Sequence, residues 1–113
     1  MAEHDPEDLK LVTLARSARA RNGADTAAAV RDDTGRTYVA TPVALASLSL
    51  GAVQAAVAAA VSSGARRLEA VVVVGSSAPD HDAVAVGREL AAPGARMLVA
   101  AADGTITDAI ALA

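Results

Sequence analysis

The order of hydrophobic and polar positions at the start of the chain predicts a helix followed by a β-hairpin. Asp5 is a capping residue with Pro6 behind it, apolar residues then recur at helical spacing, and Asn22 and Gly23 end the pattern. We therefore predict a helix over residues 6–22. From Thr26 onward two short runs, 27–30 and 36–40, flank the turn sequence 32–35, which predicts a hairpin.

The middle of the chain is an uncharged loop that leads into an apolar helix. The loop covers residues 41–49 and contains Pro42, and the helix is predicted from Leu50 to Ser62. Gln54 is its only polar residue before Ser62. Because a helix without a polar face is normally buried on every side, we expect one face to pack on a sheet and the opposite face on another subunit.

The last third of the chain predicts two buried strands separated by a helix. Residues 68–74 form a near-continuous apolar run, typical of a strand covered on both faces. A loop over 75–79 precedes a helix capped by Asp80 or Asp82 that ends near residue 90. Pro93 and Gly94 break the pattern, 96–101 is the second buried strand, and 105–113 is a short strand or a terminal helix.

This element order predicts a single layered α-β-α domain over residues 1–113, with residues 1–5 frayed. Its fold class is α/β with a mixed sheet of about five strands, in which an antiparallel hairpin is followed by parallel crossovers. A chain of 113 residues has a small core when it is alone, so association with further copies would add buried area.

Composition excludes several classes of function. The chain has no cysteine, which removes disulfide frameworks, thiolate nucleophiles and iron-sulfur clusters. Tyr38 is the only aromatic residue and the net charge is -3, so neither a base-stacking platform nor a basic stripe for nucleic acid is present. The acidic start is unlike a signal peptide, and no apolar run is long enough to span a membrane. We expect a cytoplasmic protein that binds neither nucleic acid nor membrane.

Two landmarks in the chain resemble those of a known family. The first is a helix that starts near Gly51 and ends at Gly64, and it follows a hairpin with the turn Asp33-Thr34-Gly35. The second landmark is the run 79–85, which begins with proline. Glu89 and Leu90 follow it at the spacing found in the family. From Leu9 to about Thr105 the chain resembles the homotetrameric and dimeric cytidine deaminases. These carry Cys-Ala-Glu-Arg at the first landmark and Pro-Cys-Gly-x-Cys-Arg-Gln at the second. The resemblance implies a cytidine deaminase-like fold.

The resemblance also implies where the chemistry of that family has been lost. Deamination there needs three thiolate or imidazole ligands for zinc, a bound water and a glutamate that transfers protons. Carried over, the ligand positions are Gly51, Asp80 and Ala83, and the glutamate position is Val53. Residues 37–53, where the ribose-contacting loop falls, contain no Asp, Glu, His, Asn or Cys. The resemblance therefore implies a degenerate member without zinc, and we expect no cofactor.

One polar cluster, Asp80, His81 and Asp82, lies in the loop that carries metal ligands in the resembled family. Two interpretations of this cluster are open. The aspartates either cap the third helix, which we favour, or offer ligands for a relocated metal site. Serine hydrolysis is disfavoured because the chain has no Gly-x-Ser-x-Gly motif, and Gly75-Ser76-Ser77 is the nearest approach to a phosphate-binding loop.

The sequence thus predicts a catalytically inactive, zinc-free, cytidine deaminase-like protein with a binding or scaffolding role. We expect it to self-associate as a dimer or tetramer through the helix Leu50 to Ser62. Two alternatives remain: a cytidine-type nucleoside deaminase that uses relocated residues around Asp80–Asp82, and a nucleoside-binding protein that keeps a pocket without reacting.

Overall fold

The structure is a computed structural model that describes residues 4–113. Its three helices are α1 (Pro6–Asn22), α2 (Ala52–Ser62) and α3 (His81–Glu89). Its strands are β1 (Thr26–Asp32), β2 (Thr37–Ala40), β3 (Val43–Ala44), β4 (Ser49–Leu50), β5 (Leu68–Gly75), β6 (Ala91–Ala100) and β7 (Ile106–Ala111). Within residues 4–113, no helix combines the length and the apolar character that crossing a membrane requires.

Five strands form one mixed sheet in the order β2-β1-β5-β6-β7, while β3 and β4 pair as a separate two-stranded sheet. β1 is antiparallel to both β2 and β5, so β2 and β5 run in the same direction, and α2 crosses over between them. The second crossover is α3, which joins the adjacent parallel strands β5 and β6. The predicted fold class, a layered α/β domain with a five-strand mixed sheet, is confirmed.

The first helix has the ends that the sequence predicts. The Asp5 side chain accepts a hydrogen bond of 2.8 Å from the backbone N–H of Glu7, and Pro6 occupies the first turn. At the other end Gly23 adopts the left-handed conformation, with φ of 60°, which glycine reaches without strain. Of the residues predicted to fray, Met1 and the next two lie outside the described residues.

The two faces of the sheet are covered by different helices, which gives the three layers. α1 packs on one face and buries four apolar residues there: Leu11, Val12, Ala15 and Ala18. α2 and α3 cover the other face. Alternation along β5 directs Val72 and Val74 toward α1, and Val71 and Val73 toward α2. Alanine and valine supply most of both cores, so the layers meet through short side chains.

Two parts of the chain differ from the prediction, and at a third, residues 105–113, the structure shows the strand of the two predicted alternatives. The predicted loop 41–49 contains β3 and begins β4, because its uncharged residues close a small hairpin. The predicted break at Pro93 and Gly94 lies inside β6, which begins at Ala91 rather than at residue 96. There the pairing with β5 jumps from Leu68↔Ala91 to Ala70↔Arg96, and the intervening residues bulge out, with Gly94 at φ of 81°. The final element is a strand, β7, antiparallel to β6.

α2 is buried on one side only within the single chain. Its buried residues face the sheet and α3: Ala52, Val53, Ala55, Ala56, Val57 and Ala60. The remaining side exposes Ala58, Ala59 and Val61. Burial on every side, which the apolar pattern predicts, is therefore reached only if something outside the chain covers this side.

The end of β1 is fixed by a buried carboxylate. Oδ1 of Asp32 accepts hydrogen bonds from the backbone N–H groups of Thr34 (2.9 Å) and Arg36 (3.0 Å) and from the Thr34 hydroxyl (2.6 Å). Oδ2 accepts a longer bond, 3.4 Å, from the Tyr38 hydroxyl. Burial raises the pKa of Asp32, but these donors outweigh burial, and the net effect lowers the pKa below its usual value. The turn between β1 and β2 is thus built around one ionised side chain.

A second charged group ties α1 to the sheet. The Arg31 guanidinium on β1 donates to Asp8 of α1 through Nη1 (3.0 Å) and to Glu69 of β5 through Nε (3.1 Å). Burial lowers the pKa of Arg31, but its two carboxylate partners outweigh burial and raise it, so the guanidinium stays charged. The bridge holds the first turn of α1 against the two central strands.

Candidate functional site

The starts of α2 and α3 meet beside the carboxyl end of β5 and enclose a cavity of about 290 Å³. The loop that follows β5 forms one wall, and Thr26 at the start of β1, which pairs with Gly75, forms another. The lining comprises Thr26, Ala52, Val53, Gln54, Val73, Ser77, Ala78, Pro79, Asp80 and Ala83. Here the two helix starts predicted to carry the site come together with the sheet edge.

Three of the four family positions singled out from the sequence line this cavity. Val53 is 2% exposed and Ala83 is 6% exposed, and both belong to the apolar core beneath α2 and α3. Asp80 lies at the mouth and is exposed. Gly51 immediately precedes α2 as its N-terminal cap residue and has extended backbone. The floor of the cavity is therefore aliphatic.

The Asp80 side chain is a helix cap. Its Oδ1 accepts a hydrogen bond of 2.8 Å from the backbone N–H of Ala83, in the first turn of α3. His81 and Asp82, the other members of the polar cluster, are exposed and are not among the residues that line the cavity. The structure thus brings Asp80 to the site but does not bring its two neighbours there.

Three polar residues at the cavity are absent from the set predicted as the site. Thr26, Gln54 and Ser77 each line it. A signal existed for Gln54, because it is the single polar residue on an otherwise apolar helix. A side chain at Gly51 would collide with the side-chain oxygen of Gln54, so Gln54 fills the space next to the first family ligand position. Thr26 is an ordinary strand residue in the sequence, and only the fold places it here. Ser77 belongs to Gly75-Ser76-Ser77, which the sequence offers only as the nearest approach to a phosphate-binding loop.

The residues present do not fit the zinc ion of the resembled family. That ion needs three nitrogen or sulfur ligands. Gly51 and Ala83 have no donor atom in their side chains, and the Asp80 carboxylate already caps α3. Across residues 4–113, no group of three or more His, Cys, Asp or Glu is arranged to hold a metal ion.

We expect Asp80→Ala to lower the free energy of unfolding by about 1 kcal/mol, since it removes the hydrogen bond that caps α3. Asp82→Ala is the matched control, because Asp82 is an exposed acid in the same turn that interacts with the helix dipole only, worth about 0.3 to 0.5 kcal/mol. Urea unfolding followed by circular dichroism measures both. Equal losses for the two variants would contradict the assignment of Asp80 as the cap.

Solved structures show that this fold is that of cytidine deaminases. The chain is 22% identical to cytidine deaminase from Burkholderia pseudomallei over 99% of this chain and 94% of that chain, with a TM-score of 0.78. It is 23% identical to the Mycobacterium leprae enzyme over 85% and 89%, with a TM-score of 0.69. For the Mycobacterium tuberculosis enzyme the identity is 26% over 82% and 85%, with a TM-score of 0.67.

The model of the cytidine deaminase-like family matches residues 4–104. The chain therefore belongs to the cytidine deaminase-like family, which confirms the resemblance recognised from the two landmarks. No curated protein matches the chain significantly.

Proposed function

We propose that this protein is a zinc-free, non-catalytic member of the cytidine deaminase-like family, with a binding or scaffolding role. One observation carries the proposal. Three of the four positions that match the metal ligands and the proton-transferring glutamate of the family line a single cavity, and two of these, Val53 and Ala83, are buried aliphatic residues. The one remaining polar position, Asp80, has its carboxylate engaged in a helix cap.

Apolar packing takes over the ordering role that a metal ion would have at this place. A bound ion stabilises a fold by holding its ligands together, whereas buried methyl groups do so through the hydrophobic effect. Val53 packs within the core under α2, and Ala83 does the same from α3. The two helix starts are thus held by direct contact with the sheet, and among the described residues that line the cavity the only carboxylate is Asp80, which caps α3.

Self-association through α2 completes the proposal, with residues 1–113 acting as one domain. Support comes from the exposed side of α2, where Ala58 and Val61 form a groove of about 260 Å³ with Val86 of α3 and with Leu90, which follows α3. The resemblance to dimeric and homotetrameric cytidine deaminases also supports self-association. Burying this side in another copy would add apolar area to a small core.

Zinc uptake tests the proposal. After incubation with zinc and desalting, we expect the wild-type chain to retain none and to release no ammonia from cytidine or deoxycytidine. Sedimentation velocity on the same samples should show a dimer or a larger assembly. A wild-type protein that retains zinc in proportion to its concentration and deaminates cytidine would overturn the proposal.

A triple variant, Gly51→Cys with Asp80→Cys and Ala83→Cys, provides the positive control. If these positions surround one point, the variant should bind one zinc per chain, and zinc at 100 times its dissociation constant should stabilise it by about 2.7 kcal/mol. The matching triple serine variant should bind none. Failure of the cysteine variant to bind zinc would overturn the assignment of the three positions to one site.

A second candidate is a nucleoside-binding protein. The observation that favours it is the polar rim of the cavity, where hydroxyl, amide and carboxylate groups of Thr26, Gln54, Ser77 and Asp80 remain above the aliphatic floor. A nucleoside that binds the folded state must raise the melting temperature. A rise with cytidine that Gln54→Ala removes would favour this candidate over a scaffold, and turnover abolished by His81→Ala would favour a relocated enzyme.

A further inference from the structure

The two edges of the five-strand sheet differ in what happens to their outward backbone groups. In the part of the chain that the structure describes, β2 pairs only with β1, and β7 pairs only with β6. An edge strand presents backbone N–H and C=O groups on its free side, and a further strand can bond to them. Whether an edge is open therefore depends on whether the chain itself occupies those groups.

On β7 the outward backbone groups are bonded within the chain. Bonded pairs alternate along an antiparallel ladder, and the Leu112 N–H is bonded to the strand opposite, so Ala109 and Ala111 point away from β6. The Ala109 N–H donates to Oδ1 of Asp108 (2.8 Å). Arg88 of α3 donates through Nη2 to the Ala111 carbonyl (3.2 Å). Two charged side chains thus block this edge.

On β2 the outward backbone groups have no such partners. The Asp32 N–H donates to the Arg36 carbonyl (2.9 Å), so by the same alternation the backbone groups of Thr37 and Val39 point away from β1. Within residues 4–113, no loop or side chain makes a hydrogen bond to these groups. β2 also contains no charged residue, and its pairing with β1 has no bulge. We call β2 the open edge of the sheet.

A groove of about 350 Å³ lies beside the open edge. It is lined by Glu7, Lys10, Thr13, Leu14 and Thr37. Thr37 lies opposite Arg31, whose side chain reaches α1, so Thr37 also faces α1. Leu14 is 38% exposed, and the charges of Lys10 and Glu7 neutralise each other in an ion pair of 3.0 Å. The groove therefore suits an uncharged apolar side chain.

We propose that β2 docks an extended segment of another protein, which adds a strand to the sheet and places a large apolar side chain in the groove beside Leu14. The occupant is an extended segment because a strand can bond the outward groups of Thr37 and Val39 together. The proposal rests on the binding role proposed above and specifies its surface. It depends neither on the absence of zinc nor on self-association.

A second copy of this chain fits the open edge less well. Its own β2 would direct only Thr37 and Val39 toward the groove, and Val39 is already packed against α1. Its β7 is blocked by Asp108 and Arg88. Neither edge of another copy therefore supplies both free backbone groups and a large apolar side chain.

Selection of random dodecapeptides displayed on phage against the full chain tests the proposal. We expect enriched peptides to carry a large apolar residue between β-branched neighbours, with no proline in that run, because proline cannot donate a backbone hydrogen bond. One enriched peptide is then synthesised with a fluorescent label, and fluorescence anisotropy measures its affinity for the variants below.

Val39→Pro should weaken binding of that peptide about tenfold, because it removes an outward N–H but none of the bonded pairs between β1 and β2. Ala111→Pro is the matched control, since it removes an outward N–H from the blocked edge, and it should leave the affinity unchanged.

Leu14→Ala tests the groove without altering the backbone. It should weaken binding about fivefold, because it removes apolar contact area. Leu9→Ala is its control, as Leu9 is 45% exposed on the same helix but does not line the groove. Circular dichroism shows whether each variant folds, and if Val39→Pro does not fold, the two leucine variants decide the result.

A selection without enriched peptides would overturn this docking site, and so would an affinity that neither Val39→Pro nor Leu14→Ala changes. Sedimentation velocity covers the remaining occupant. A dimer that Val39→Pro converts to a monomer would show that a second copy occupies the open edge, which would also overturn the proposal. Zinc uptake is measured separately, so failure of the docking site and failure of the proposed zinc-free function are distinguishable.

Discussion

Replacing Asp32 with alanine is expected to lower the free energy of unfolding by about 3 kcal/mol, because it removes a buried acceptor of several hydrogen bonds. The Asp32 carboxylate is buried and accepts hydrogen bonds from two backbone N–H groups and two hydroxyls at the turn between β1 and β2. Alanine would leave the N–H groups of Thr34 and Arg36 without that acceptor. Urea unfolding followed by far-ultraviolet circular dichroism measures the change.

Asp33→Ala is the control for this experiment, since Asp33 is an exposed aspartate in the same turn. Its loss should stay within about 0.5 kcal/mol, as for ordinary surface substitutions. Similar losses at 32 and 33 would show that the turn does not depend on the buried carboxylate.

The same side chain predicts a pH dependence whose sign follows from its lowered pKa. Because the pKa is lower in the folded than in the unfolded state, the stabilisation is present above the unfolded value, which is near 3.9 for aspartate. It is lost as the pH falls from there through the folded pKa. We expect the difference in stability between wild type and Asp32→Ala, measured by urea unfolding, to shrink across that window.

Val53→Glu restores the acidic residue of the resembled family and is expected to destabilise this protein by about 4 kcal/mol at pH 8. Val53 is 2% exposed among aliphatic neighbours, so an ionised carboxylate there would lose its hydration. Burial should raise the pKa of the new glutamate above its unfolded value. The penalty is then full above the folded pKa and shrinks as the pH falls toward the unfolded value, near 4.3 for glutamate, so acidification to pH 5 should recover most of the lost stability.

Val53→Gln is the matched variant, with the same shape but no charge. It should lose less stability than Val53→Glu at pH 8, and its loss should not change between pH 8 and pH 5. Thermal unfolding at the two pH values measures this. A glutamate variant that is as stable at pH 8 as at pH 5 would mean that the floor of the cavity is hydrated, and the aliphatic packing described for it would be wrong.

Local sequence signals predict the parts of this fold whose cause is local. α1 has the predicted bounds because its cap, its proline and its final glycine act within one turn of each end. β5 is recognisable because a strand covered on both faces needs apolar residues at nearly every position, and Glu69 is the only charged residue in it. β6 is mispredicted at its start because proline and glycine normally end an element. Here a bulge against β5 accommodates both, which depends on the partner strand.

The residues of the candidate site also fall into two groups, those that the sequence predicts and those that only the fold brings together. Asp80 can be recognised as a cap from the residues around it, and Val53 and Ala83 from the spacing of the family landmarks. Thr26 could not be predicted, since β1 and the loop after β5 are distant in sequence and meet only through the pairing of Thr26 with Gly75. The exposure of one side of α2 could not be predicted either, because nearly all residues of this helix are apolar and none of its faces is marked as polar.

The hydrogen bond from Tyr38 to Asp32 has a practical consequence for studying this protein in solution. Tyr38 is the only aromatic residue, so all intrinsic fluorescence and the near-ultraviolet dichroism come from one ring beside one buried carboxylate. Those optical signals report the junction of β1 and β2 alone. Agreement between a tyrosine melt and a backbone melt would therefore show that this corner and the rest of the domain unfold together.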